Sequence, residues 1–194
     1  MTFKLGLTGS IGMGKSTTAG FFVAAAIPVW DADAAVHEIY QGIGVTPISK
    51  LVPQAIIDGI VDRSVLKQAI SKDAGLLTKI EVVIHPLVRE HRTAFLVKHL
   101  NSDIAVLDIP LLFETNRQNR FDAVLVVTAP PEIQKSRVLA RDGMTESHFM
   151  SILARQMPDS EKREKADYVI DTSNGIDAAR TAVNTLIEKI RSEM

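Results

Sequence analysis

The chain has 194 residues, with 22 Lys and Arg against 23 Asp and Glu for a formal net charge of −1, and 46% hydrophobic residues. That length supports one substantial core with room for a small inserted subdomain, and the charge balance excludes a general attraction to nucleic acid or an anionic membrane, so an anionic ligand must be held by local positive clusters. There is no cysteine, which excludes disulfides, thiolate metal sites and cysteine nucleophiles.

At the start, MTFKLGLTG lacks a basic stretch followed by a long apolar region and a cleavage site, so it does not read as a secretory signal. The apolar run GFFVAAAIPVW is about half the length needed to cross a bilayer. The cytoplasm is the expected location. FKLGLT (3–8) is short, apolar and ends at a glycine, which predicts a buried strand; a helical pattern runs from Lys15 to about Ala26, and IPVWD (27–31) predicts a second strand, with Trp30 packed near the sheet edge. From His37 to Leu100 no strand is expected. Thr46 reads as an N-cap with Pro47 at the first helical position, and DAGLLTKIEVVI (73–84) and PLVREHRTAFLVKHL (86–100) read as two helices meeting at His85-Pro86. IAVLDI (104–109), DAVLVVT (122–128) and YVID (168–171) predict further strands, followed by a helix from Ile176 to Ser192. Nearly unbroken apolar strands alternating with helices predict a doubly wound α/β domain with a parallel sheet, interrupted by a helical insertion.

Gly9-Ser10-Ile11-Gly12-Met13-Gly14-Lys15-Ser16 fits the pattern G-x-x-x-x-G-K-[ST] in a strand–loop–helix context, with Thr17 continuing into the helix. A phosphate chain wrapped by backbone N–H groups needs glycine where the backbone turns inward. Lys15 supplies charge for the terminal phosphates, Ser16 a hydroxyl where Mg²⁺ would sit, and the helix N-terminus its positive end. The loop therefore predicts binding of a nucleoside triphosphate. No N-K-x-D guanine signature and no L-S-G-G-Q segment is present.

Asp31 and Asp33 follow the second strand, and ligands of such sheets lie beyond the C-terminal strand ends. Asp31 is expected to cap the next helix; Asp33 is free to orient an acceptor hydroxyl, take its proton or help hold hydrated Mg²⁺. Asp108, at the end of a buried strand, is open to a structural or a metal-linked role, and Glu114 to a helix start or a substrate contact. Residues 135–167 read as helical segments forming a lid, with Thr145 as an N-cap and Arg141 supplying charge to a transferring group; Lys135, Arg163 and Lys165 read as solvated. On its own residues His85 reads as a structural hydrogen-bonder.

GLTGSIGMGKST, DAD, HPLVR, DIPLLFE, RVLARDGMT and RQM, in this order, resemble the dephospho-CoA kinase family over nearly the whole chain. The resemblance implies a P-loop core like that of nucleoside monophosphate kinases: five parallel strands, residues 1–36 and 101–194, with a lid at about 141–165 and a helical acceptor-binding insertion at 37–100. It implies ATP-dependent phosphorylation of the ribose 3′-hydroxyl of dephospho-CoA, by an enzyme expected as a monomer. Asp33 maps to the base and Arg141 to the lid arginine on the ATP phosphates. Thr8, His85, Arg89, Leu111 and Glu114 map near the acceptor. Two departures are His37, where many members carry arginine, and the segment after Gly42, which lacks a Phe-Gly stretch. A kinase for another small acceptor, such as a nucleoside, and a non-enzymatic ATP sensor are the other readings of the same loop.

Overall fold

A computed structural model describes residues 2–73 and 75–194. The chain divides into two compact units, Met1–Trp30 with His99–Met194, and Asp31–Lys98.

The first unit is built on a five-stranded parallel sheet of β1 (Phe3–Thr8), β2 (Val29–Asp31), β5 (Ile104–Asp108), β6 (Ala123–Thr128) and β7 (Tyr168–Asp171), in the order β2-β5-β1-β6-β7. β1 lies between β5 and β6, with Phe3 opposite Ile104 and Leu5 opposite Ala123. Every residue of β5 and β6 is buried. That explains their unbroken apolar runs: both faces are covered, so no face alternates to polar. One face packs Leu5, Leu7, Val106, Leu125 and Val127 with Phe22 of α1 (Lys15–Ala24) and Val183, Ile187 and Ile190 of α9 (Ile176–Glu193). Trp30 is buried, consistent with packing rather than an exposed ligand platform. The parallel arrangement brings Thr8, Asp108, Thr128 and Asp171 to the same end of the sheet as the strands' last residues.

The second unit holds α2 (Ala32–Gln41), α3 (Val45–Leu51), α4 (Arg63–Lys72) and α5 (Leu76–Lys98) around a cluster of Ile39, Ile48, Val52, Val61, Leu66, Ile80 and Ile84. Asp31 caps α2 as expected, its Oδ1 accepting from the N–H groups of Asp33 (2.7 Å) and Ala34 (3.0 Å).

Three expectations for this region are corrected. First, a two-stranded hairpin occurs where no strand was expected: β3 (Ile56–Ile57) and β4 (Ile60–Val61) are antiparallel. Asp58 and Gly59 take φ of 50° and 80°, the left-handed pair that a tight hairpin turn requires and that an Asp-Gly dipeptide favours. Second, the two helices expected to meet at His85-Pro86 are one, α5, with Pro86 inside it. Leu76, Ile80 and Ile84 before the proline, and Leu87 and Val88 after it, pack on the same cluster. Packing on both sides outweighs the roughly 3 kcal/mol that an internal proline costs. The helix expected over 73–84 also crosses Ala74, which lies outside the described residues. Third, α3 starts at Val45 behind Gly44, not behind Thr46. A Cβ on Gly44 would stand 2.7 Å from Ile39 O, so the chain turns directly off α2, and Pro47 falls in a first turn whose N–H groups have no helical partner.

Candidate active site

The loop between β1 and α1 is shaped by its walls. A Cβ on Gly9 would stand 2.5 Å from Val127 Cγ2, and one on Gly12 2.5 Å from Val138 Cγ2. Gly12 and Gly14 also take φ of 80° and 86°, where side chains other than glycine's are strained. Three elements then tie the loop down. Gln134, on α6 (Pro131–Leu139), donates from Nε2 to Ile11 O at 2.8 Å. Gln156 Oε1 accepts from Ile11 N–H at 3.1 Å. The Thr172 hydroxyl lies 3.0 Å from Met13 O, and Arg137 donates to Thr172 Oγ1 and O at 2.8 and 2.7 Å. The buried Met13 side chain plugs the loop inward, its sulfur accepting from Ala129 N–H.

A cavity of about 300 Å³ opens beside the loop, lined by Gly12, Gly14, Thr17, Arg137, Arg141 and Thr172 among others. Arg137 on α6 and Arg141 just past its end therefore line the same cavity as the loop, whose N–H groups and helix N-terminus already favour an anion. The Lys15 ammonium meets Asp108 Oδ1 at 2.5 Å; Asp108 is 1% exposed. Asp108 thus holds the loop lysine. Ser16 and Thr17 are exposed in the first turn of α1, and Ser10 is buried. Thr8 is buried, with its hydroxyl donating to Pro110 O. Among the described residues no group of three or more His, Asp or Glu is arranged to hold a metal.

Beyond β5, Leu111 is exposed on the turn that leads to Glu114. Glu114 Oε1 accepts from Met157 N–H at 2.9 Å and lies 2.9 Å from Lys162 Nζ. Lys162, on α8 (Asp159–Glu164), is fully buried and not solvated like its neighbours. Its ammonium is within ion-pair distance of that oxygen. Burial pushes the Glu114 carboxyl up, but the Lys162 ammonium and the Met157 N–H outweigh it and hold the group below its ordinary value. Because the folded group is the stronger acid, the stability it contributes is complete above the ordinary glutamate value of about 4.3 and is lost as the pH falls through the lower folded value. Urea midpoints measured from about pH 6 to pH 3 are expected to fall more steeply for the native protein than for E114Q/K162M; parallel curves would remove this pair from the acid response.

Residues 141–165 also contain α7 (Glu146–Leu153), capped by Thr145 Oγ1, which accepts from His148 N–H as expected. Lys135 pairs with Glu146 and Arg163 with Asp159, all but Asp159 well exposed. In the second unit, Asp33 is exposed in the first turn of α2; His85 and Arg89 are exposed on α5, four residues apart on one face. His37 Nε2 lies 3.1 Å from Gln41 Nε2, one turn along the same helix. The structure adds Gln134, Arg137, Gln156, Lys162 and Thr172 to the residues singled out from sequence. The i, i+4 spacing of Arg137 and Arg141 was a usable signal; the others make contacts too distant in sequence to be read from spacing.

Residues 3–178 match the family model for dephospho-CoA kinase. The dephospho-CoA kinase of Mesorhizobium japonicum is 51% identical over 191 residues, covering 97% of each chain. That of Jannaschia sp. is 53% identical over 192 residues, covering 98% of each. The crystal structure of TT1252 from Thermus thermophilus superposes with a TM-score of 0.85 at 31% identity, over 97% of each chain. The phosphate loop, the parallel sheet that carries it and a match spanning nearly every residue agree: this chain belongs to the dephospho-CoA kinase family.

Proposed function

We propose that the chain transfers the terminal phosphoryl group of ATP to the ribose 3′-hydroxyl of dephospho-CoA, giving coenzyme A and ADP. The observation that carries this reading is the phosphate loop, whose Gly12, Gly14 and Thr17 line one cavity with Arg141, in a chain about half identical to named dephospho-CoA kinases.

Residues 9–17 wrap the phosphates with backbone N–H groups. Lys15 and Arg141 offset the negative charge that spreads over the transferring oxygens, a preorganised arrangement that needs no reorientation during the reaction. Asp33 orients the acceptor hydroxyl and accepts its proton. The helical unit Asp31–Lys98 binds the acceptor, with His85 and Arg89 on α5 as contacts. Mg²⁺ is a hard cation that takes oxygen donors and usually keeps phosphates and water as ligands. The Ser16 hydroxyl fits that donor set, with Asp108 beside it through Lys15, and the ion would supply positive charge to the phosphate oxygens.

Incubation with ATP, Mg²⁺ and dephospho-CoA, with mass analysis of the acceptor, is expected to show one added phosphoryl group. Nucleosides and nucleoside monophosphates run in parallel are expected to remain unmodified. ADP release without a change in the mass of dephospho-CoA would overturn the reading.

A further inference from the structure

We propose that Glu114 and Lys162 are positioning residues for phosphoryl transfer: they set the turn that carries Gln156, and Gln156 holds the phosphate loop by Ile11. The inference rests on the reading that residues 9–17 bind the phosphates of ATP.

Both polar groups of the Ile11 peptide are held by side chains from distant parts of the chain. Its carbonyl accepts from Gln134 and its N–H donates to Gln156. Gln134 sits on a full helix and is 6% exposed. Gln156 has no such support. It lies between α7 and α8, in a short turn whose backbone bonds run from Arg155 N–H to Ile152 O and from Gln156 N–H to Leu153 O. The next residue, Met157, anchors that turn through its N–H on Glu114 Oε1. Lys162, on the helix that follows, meets the same oxygen. Glu114 is fixed in turn by the segment after β5, where Thr115 N–H donates to Leu111 O and Asn116 N–H to Phe113 O.

A lysine with no exposure is rare, and a buried ion pair gives little net stability because both charges lose water. What the pair provides here is a fixed point. One carboxylate oxygen gathers the lid turn and the buried ammonium, and the lid turn delivers one amide oxygen to the loop. The pieces act in series: without Glu114 as an acceptor, Met157 loses its anchor and Gln156 loses its aim. Released from Gln156, the loop samples shapes in which its N–H groups no longer converge on the phosphates, and ordering it again weakens ATP binding.

The test measures ATP affinity by titration calorimetry, together with KM for ATP and for dephospho-CoA, on the full chain. Gln156→Met keeps the side chain's shape and removes the acceptor. It is expected to weaken ATP binding about tenfold and to leave KM for dephospho-CoA within about twofold. E114L/K162M removes both charges and the Met157 anchor and is expected to act in the same direction. E114Q/K162M keeps an acceptor for Met157 N–H and is expected to show a smaller loss. Adding Gln156→Met to E114L/K162M is expected to cost no more than the larger of the two alone, as steps in series do. Unchanged ATP affinity in Gln156→Met, equal rises in both KM values, or additive losses would each overturn the proposal. If E114L/K162M does not fold, Gln156→Met and E114Q/K162M decide the question. A native protein that itself binds no ATP would instead overturn the functional reading.

Discussion

Replacing Lys15 with methionine is expected to lower kcat by about 10²–10³-fold, the loss typical of removing one preorganised donor from a developing anion. Lys15 stands at the first turn of α1 and is the one lysine among residues 9–17. The variant has a second, separable consequence. Asp108 is 1% exposed and paired with that ammonium, so removing Lys15 takes the countercharge from a buried carboxylate and is expected to lower stability as well. K15M/D108N also removes the buried negative charge and is expected to recover part of the lost melting temperature while recovering none of the activity. Measuring both thermal stability and turnover separates the two roles of the lysine. Turnover at the native level in K15M/D108N would contradict the assignment of Lys15 to phosphate chemistry.

Asp33→Asn is expected to reduce kcat by about 10²–10⁴-fold, the range for a positioned general base, with a smaller change in KM for ATP. The substitution keeps size and hydrogen-bonding capacity but cannot take a proton. Asp31 provides the control. Its carboxylate accepts two backbone N–H groups at the start of α2, so Asp31→Ala is expected to lose about 1 kcal/mol of stability from a missing cap and to show that loss in a melt rather than in kcat. The two acids are two residues apart and identical in type, yet their variants are expected to fail in different assays. Full turnover in Asp33→Asn would remove that residue from the chemistry.

The parts that were legible in the sequence are those in which local chemistry and tertiary environment agree. FKLGLT and YVID form strands over the expected residues, 3–8 and 168–171; the first is buried from Leu5 onward and the second is the partly exposed edge strand that precedes α9. The phosphate loop was legible because its glycines answer to local backbone geometry. Pro86 was misread because a proline signals a helix end locally, whereas the packing of Ile84 and Leu87 on a shared cluster carries the helix through it. The β3–β4 hairpin has two-residue strands, too short for any alternation to register, and only Asp58-Gly59 marked it. Lys162 was not singled out for a related reason. A lysine in the stretch DSEKREK reads as a solvated charge, and nothing near it in sequence reveals Glu114, 48 positions back, as its partner.

The side chains that brace the phosphate loop come from late in the chain: Gln156 is 145 positions beyond Ile11, and Thr172 is 159 beyond Met13. Contacts so far apart form only after a long stretch of polypeptide has been closed, which places them late in folding. As the protein emerges from the ribosome, its glycine-rich segment is made first but braced last. A chain cut short before residue 134 would carry the whole signature for gripping a nucleotide without any of the side-chain struts that shape it.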